Sequence, residues 1–121
     1  MEKNLRYNRK LIFKAPYHVE VQEEKICEPQ ANQVCVQSLL SAISPGTEML
    51  VYRGQIPDEI AMDESIAGLG STATYPLSYG YALVGRVTAI GSVGLKSWLG
   101  RKVFVFAPHQ SCLCCSVDQL I

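Results

Sequence analysis

The sequence has no excess of either charge: 11 Lys+Arg balance 11 Asp+Glu, for a formal net charge of +0 at pH 7. Nucleic-acid binders show a basic stripe and electrostatic membrane anchors a basic patch, so both classes are disfavoured. No apolar run approaches the roughly 20 residues that span a bilayer. The opening Met1-Glu2-Lys3-Asn4 leads into mixed polar sequence rather than an apolar signal core. A cytoplasmic location is the simplest expectation. Cysteine is present in an odd number, 5. A closed disulfide framework would leave one thiol over. There is no internal repeat, no low-complexity segment, no Gly-x-Ser-x-Gly elbow and no His-Glu-x-x-His pattern. A strand–helix–strand rhythm is also missing, which argues against a doubly wound α/β domain.

What is there is a chain of 121 residues, 48% hydrophobic. That length suits one compact domain with its own core, and a second full-sized one does not fit. Most of the pattern is strand. Leu11-Ile12-Phe13 is an apolar run ended by Pro16. His18 to Gln22 alternates as a half-buried strand does. Gln33 to Ser44 reads as a longer strand, with Val34, Val36, Leu40 and Ala42 on one face and Cys35, Leu39 and Ile43 on the other. Tyr81 to Ile90 is rich in Val and Ala, with Gly85 marking a bulge or tight bend. Arg101 to Ala107 holds the strongest β run, and Cys112 to Val117 is the last candidate. Ser44-Pro45-Gly46 and the pair Gly91 and Gly94 supply turns. Short helices are expected over 46–53 and 58–66. Short strands at regular spacing with Gly/Pro turns predict a mainly β fold, a barrel or partly open sandwich. Residues 54–76 form the longest stretch without strand character, a candidate loop or lid.

Four clusters invite chemistry. Gly68-Leu69-Gly70-Ser71-Thr72-Ala73 has the letters of a dinucleotide fingerprint, but an acidic segment precedes it and Tyr75-Pro76 stands where the helix should run, so a loop is the better account. Cys112-x-Cys114-Cys115 is too tightly spaced for a structural zinc site, and in a strand Cys112 and Cys114 point one way and Cys115 the other. Small buried hydrophobes are the expected role. Asp58, Glu59, Asp63 and Glu64 lack oxygen-ligand spacing and read as a solvated helix face. His109 ends the Phe-rich strand after Pro108, where it can be a base, a ligand or a surface residue. His18 reads as structural.

Three segments together carry a family resemblance. Ser41-Ala42-Ile43-Ser44-Pro45-Gly46-Thr47-Glu48, followed by Tyr52-Arg53-Gly54, resembles the strand and turn of medium-chain dehydrogenases/reductases. Tyr79-Gly80-Tyr81-Ala82-Leu83-Val84-Gly85-Arg86-Val87 resembles that family's Gly-His-Glu-x-x-Gly-x-Val strand. Leu99-Gly100-Arg101-Lys102-Val103-Phe104-Val105 is similar to its Gly-Asp-x-Val strand. The resemblance covers about residues 10–121. It implies a GroES-like β-barrel, the N-terminal catalytic domain of zinc-type alcohol dehydrogenase-like enzymes, whose nicotinamide cofactor sits on a separate Rossmann domain.

The resemblance also implies which residues matter. Zinc-dependent members carry a Cys just before the Gly-Thr-Asp/Glu segment and a His in the Gly-His-Glu segment. Those positions match Pro45 and Tyr81 here, and the following glutamate matches Ala82, so no catalytic zinc is expected. Thr47 matches a hydroxyl used in proton relay, and equally suits a helix N-cap. Tyr81 could donate a phenolic proton or fill space. His109 falls where the barrel faces the cleft, and Ser44, Pro45, Gly46 and Glu48 would border the substrate. The chain is expected to be an incomplete GroES-like domain over 1–121, present as a fragment, truncated or split form. Inactivity alone and no cofactor of its own are the expectations, with NADP or NAD bound only together with a Rossmann-domain partner. Assembled, it would reduce a small carbonyl or alkene substrate. A non-enzymatic module that self-associates through open sheet edges is the alternative. A ring-forming co-chaperonin is a weaker third.

Overall fold

The computed structural model describes residues 7–26, 28–55 and 75–121. Cys27, the Gly68–Ala73 segment, the acidic run, the helix expected over 58–66 and most of the 54–76 stretch lie outside these residues. Strands β1 (Tyr7–Ala15) and β2 (His18–Lys25) form an antiparallel hairpin. β3 (Gln33–Ser41) leads to the short helix α1 (Thr47–Arg53). β4 (Leu83–Ile90), β5 (Lys102–Val105) and β6 (Cys112–Ser116) complete a four-stranded antiparallel sheet of order β5-β4-β3-β6. A 3-10 turn over Val93–Trp98 fills the connection marked by Gly91 and Gly94, and a second over Val117–Gln119 takes up Val117, the expected last residue of the final strand.

Among the described residues the sheet is not closed into a barrel by continuous strand pairing. Isolated bridges sew its margins instead. Leu120 bridges Val105, and the Phe104 and Ile121 backbones exchange hydrogen bonds of 3.0 and 2.9 Å. On the other side Lys10 bridges Gln110 and Phe13 bridges Leu77. The expected GroES-like, partly open barrel with short helices matches this mainly β layout.

Alternation decides what is buried. Val34 and Val36 of β3, Leu83 and Val87 of β4, Val103 and Val105 of β5 and Cys115 of β6 share one sheet face and form the larger core. Each fully buried aliphatic side chain contributes about 1.5–3 kcal/mol. A second cluster, Phe13, Val51, Leu77 and Tyr79, joins the hairpin to α1. Gly85 sits where β3 and β4 shift register between Ser38 and Leu40. A Cβ there would lie 2.4 Å from Val36 Cγ1 and 2.6 Å from the Gln37 carbonyl oxygen, so only glycine admits this approach.

Two expectations need correction. The alternation of His18 to Gln22 does not make a half-buried strand: Val21 is 60% exposed, because among the described residues β2 pairs only with β1 and no second layer covers it. The long strand expected to reach Ser44 ends at Ser41. The bulge before Leu40 and the following turn bring Leu39, Leu40 and Ile43 to the surface.

Candidate active site

Three pieces of chain converge at the end of β3. Ser41 closes that strand. The turn after it reverses into α1, and the segment following β5 delivers His109. The helix is short but well terminated. Glu48 lies in its first turn and Arg53 in its last, matching the helix dipole. Gly54 takes the left-handed conformation at φ 72°, and its N–H closes on the Leu50 and Val51 carbonyls.

Glu48 and His109 are 3% and 7% exposed, and they meet inside the fold. His109 Nε2 lies 2.5 Å from Glu48 Oε1, and His109 Nδ1 lies 2.6 Å from Ser41 Oγ. The second oxygen of Glu48 accepts the Ser44 backbone N–H at 2.8 Å. A carboxylate only accepts, so Nε2 carries a hydrogen. Nδ1 then accepts from the Ser41 hydroxyl when the ring is neutral and donates to it when the ring is an imidazolium. The result is a continuous chain Ser41–His109–Glu48. Gly80, at φ 144°, makes room for the ring: a Cβ there would stand 2.9 Å from His109 Cδ2. The His109 carbonyl accepts the Leu11 N–H at 3.1 Å, which ties the imidazole's backbone to the hairpin.

Beside this chain lies a cavity of about 320 Å³, lined by Leu11, Phe13, Val19, Ile43, Met49, Tyr52 and Glu48. Its volume and apolar wall suit a small organic molecule. Among the described residues Glu48 is the one acidic residue of the lining, with its carboxylate turned away from the apolar wall toward His109 and the Ser44 N–H.

The expected site residues divide. His109 and Glu48 come together, and Ser44 joins them through its N–H. Pro45 and Gly46 are exposed in the turn. Gly46 is the helix N-cap and no side chain caps α1, so Thr47 is the first helical residue and not the cap. Tyr81 is half-buried and packs edge-on against Tyr79, ring centroids 6.3 Å apart. It packs against the second core. Neither Thr47 nor Tyr81 lines the cavity. Ser41 was not singled out from sequence. Its only signal was its place at the head of the Ser41–Glu48 motif, since its partner lies 68 positions away.

Pro45 has no side-chain donor to offer a metal. Among the described residues no group of three or more His, Cys, Asp and Glu side chains is placed to hold an ion. The cysteine strand alternates as expected: Cys115 is in the core, and burial with Cys114 nearby pushes its thiol up to about 11. Cys112 and Cys114 are only half-buried, which corrects the expectation of a uniformly buried cluster. Burial also pushes the Cys112 thiol up. His18 lies on the exposed hairpin, 3.4 Å from Glu20.

No family model matches the chain. It is 33% identical over 103 residues to a 2-desacetyl-2-hydroxyethyl bacteriochlorophyllide A dehydrogenase of Cereibacter sphaeroides, a match covering 84% of this chain and 28% of that protein. Among solved structures it superposes on the CurF ER cyclopropanase of the curacin A biosynthetic pathway with a TM-score of 0.71 and 21% identity, covering 94% of this chain and 35% of that one. A short chain alcohol dehydrogenase from Escherichia coli CFT073, complexed with NADH, gives a TM-score of 0.68 at 16% identity, covering 95% and 38%. The chain thus spans about a third of the length of the proteins it matches. No helix among the described residues is long and apolar enough to cross a membrane.

Proposed function

We propose that this chain, whose fold is that of the GroES-like N-terminal domain of medium-chain dehydrogenases/reductases, is the substrate-binding and catalytic domain of a zinc-independent, NAD(P)H-dependent oxidoreductase. The observation that carries the reading is the Ser41–His109–Glu48 chain ending in the wall of an apolar cavity. Reduction of a carbonyl or activated alkene needs a hydride and a proton. The nicotinamide, held by a separate dinucleotide-binding domain, supplies the hydride when bound. The residues described here manage the proton.

In the imidazolium form His109 donates from both ring nitrogens, Nδ1–H to Ser41 Oγ and Nε2–H to Glu48. Movement of the Nε2 proton to Glu48 Oε1 leaves a neutral imidazole and a carboxylic acid that must turn from His109 toward the cavity to reach a substrate. That acid can protonate a substrate atom, and Ser41 keeps the ring oriented throughout. A positioned acid of this kind is worth about 10²–10⁴-fold in rate. Thr47 and Tyr81, away from the cavity, would act on substrate only if the cleft extends past α1. The apolar wall favours a small, largely hydrocarbon carbonyl or alkene. A cytoplasmic location fits the need for a nicotinamide pool.

The test uses the native polypeptide that carries this chain together with its dinucleotide-binding region. Zinc content is measured, and NADPH and NADH oxidation is followed with aldehydes, quinones and enoyl thioesters. Activity without stoichiometric zinc, and a fall of at least a hundredfold in kcat for Glu48→Gln with cofactor affinity unchanged, is the expected result. Stoichiometric zinc, or a Glu48→Gln variant within twofold of the parent, would overturn it. This chain alone should show no dinucleotide affinity by calorimetry.

A second reading, a non-enzymatic module that self-associates, is favoured by the exposed set Leu39, Leu40 and Ile43. The margin of β5 is already occupied by Ile121, so such pairing would use this apolar surface rather than that sheet edge. Light scattering across micromolar concentrations tests it, and a strict monomer refutes it.

A further inference from the structure

The hairpin of β1 and β2 turns through only two residues. Ala15 pairs with His18, which leaves Pro16 and Tyr17 to make the loop. Proline presets the φ that the first of these places needs. The second place takes φ 65°, in the left-handed region. Glycine or asparagine ordinarily stands there, because a Cβ is crowded in that conformation. Among the described residues Tyr17 is the one non-glycine residue with a positive φ. Burial does not offset the strain, since Tyr17 is 62% exposed. A strained side chain that the turn does not need points to a role outside the turn.

What the ring touches gives that role. It meets the Tyr52 ring edge-on, with centroids 5.2 Å apart and 71° between the planes. The Tyr17 N–H donates to the Tyr52 carbonyl at 2.7 Å. Pro16 seats against Gly54, where a Cβ would stand 2.7 Å from Pro16 Cγ. The loop therefore holds Tyr52 by backbone and by ring, at the last turn of α1. Tyr52 in turn lines the apolar cavity together with Val19, Ile43 and Met49, and Tyr17 stands behind it, outside the lining.

We propose that Tyr17 is a positioning residue for this cavity: its ring holds the Tyr52 ring in the wall and so sets the size of the hydrocarbon group the cavity admits. The inference rests on the reading of the cavity as the substrate site. An edge-to-face aromatic pair is worth up to about tenfold in an equilibrium. That is enough to favour one setting of the Tyr52 ring over its alternatives. Without the Tyr17 ring, Tyr52 can swing into the space that ring vacates, and the cavity lengthens toward solvent.

The test uses the native polypeptide that carries this chain, labelled with carbon-13 at its methionine methyl groups. Benzene and n-butylbenzene are the probes. Met49 lies in the cavity wall, so its methyl resonance reports occupancy there. In the parent both probes should shift that resonance, and their ratio of affinities is the reference. Tyr17→Gly suits the left-handed backbone and removes the ring. It should shift the ratio toward n-butylbenzene by up to about tenfold. Tyr17→Phe keeps the ring and should stay within about twofold of the parent ratio. A merely structural role would lower the stability of Tyr17→Gly without moving the ratio. An unchanged ratio in Tyr17→Gly, or an equal shift in Tyr17→Phe, would overturn the proposal while leaving the cavity as the binding site. A parent whose Met49 methyl answers neither probe would overturn the reading of the cavity itself, and the proposal with it.

Discussion

Glu48 and His109, 61 positions apart in sequence, meet at 2.5 Å in a part of the fold that water barely reaches. Neither could be buried alone: an unpaired carboxylate or imidazolium in such a place would be strongly destabilising. Their pairing, completed by Ser41 and the Ser44 N–H, is what lets β3, α1 and the segment after β5 close on one another.

Removing one member of this pair should therefore cost more than removing the hydroxyl behind it. Glu48→Ala is expected to lower stability by about 3–5 kcal/mol, because His109 is left buried without its acceptor. Ser41→Ala should cost only about 1 kcal/mol, the net worth of an ordinary hydrogen bond. Urea unfolding followed by circular dichroism measures both, and equal losses would contradict the account.

Asn8 offers a sharper test of polar matching. Its amide donates to Glu24 Oε2 at 3.0 Å and Gln110 Oε1 at 2.9 Å. Its carbonyl accepts from Ser111 Oγ at 3.2 Å and the Cys112 N–H at 3.0 Å. Asn8→Asp keeps the shape but turns both donors into a carboxylate facing two acceptors. A loss of about 2–3 kcal/mol at neutral pH is expected, shrinking as acid restores a donor. Thermal melts at pH 7 and pH 4 distinguish this from a loss independent of pH.

Two glycines should respond oppositely to alanine. Gly85→Ala drives a methyl into Val36 and the Gln37 carbonyl, so a loss of about 1–3 kcal/mol is expected from overpacking. Gly94, in the 3-10 turn, has nothing within 4 Å of its Cβ position. Gly94→Ala should be neutral or raise stability by up to about 1 kcal/mol. Chemical denaturation of the two variants side by side checks the contrast.

Cys115 should resist alkylation well into alkaline solution. Its thiol is pushed up to about 11 by burial, from the 9.0 of an open thiol. The native state thus holds a proton that the unfolded state releases between pH 9 and pH 11. In that window the unfolded chain binds fewer protons, so this residue's contribution to stability falls as pH rises and is intact below pH 9. Iodoacetamide labelling resolved by peptide, together with melts at pH 8 and pH 10, tests both halves. Rapid labelling of Cys115 at pH 8 would contradict the burial argument.

Much of the fold was legible because alternation in β3, β4 and β5 is strong and its turns carry Gly and Pro. The short helix after Pro45-Gly46 was readable for the same reason. Alternation misled at Val19 and Val21, where periodicity shows a strand but says nothing of whether a second layer covers it. The site was half legible. His109 stood out as a residue type at a strand end, and Glu48 entered only through the family resemblance. Their contact, and the part played by Ser41, depend on how far apart β3 and the segment after β5 lie in space, and no local pattern encodes that distance. Thr47 drew attention through its neighbours, yet the helix begins one residue earlier than a cap at that position requires.

The β1–β2 hairpin has a further consequence. Its tip is fastened where the Tyr17 N–H meets the Tyr52 carbonyl at 2.7 Å, and its base where Asn8 grips Gln110 and Cys112. Between these anchors it supplies Leu11, Phe13 and Val19 to the cavity wall, whereas Ser41 and His109 belong to other stretches of the chain. The ribbon is pinned at both ends and bridged between them, by the Leu11 N–H on the His109 carbonyl and by Phe13 on Leu77. Side-chain changes along it that leave these backbone bonds in place can reshape the chamber while the Ser41–His109–Glu48 chain keeps its geometry. The fold thereby lodges the gauge of the guest largely in hairpin side chains and the handling of the proton in Ser41, His109 and Glu48, with Glu48 the one residue the two share.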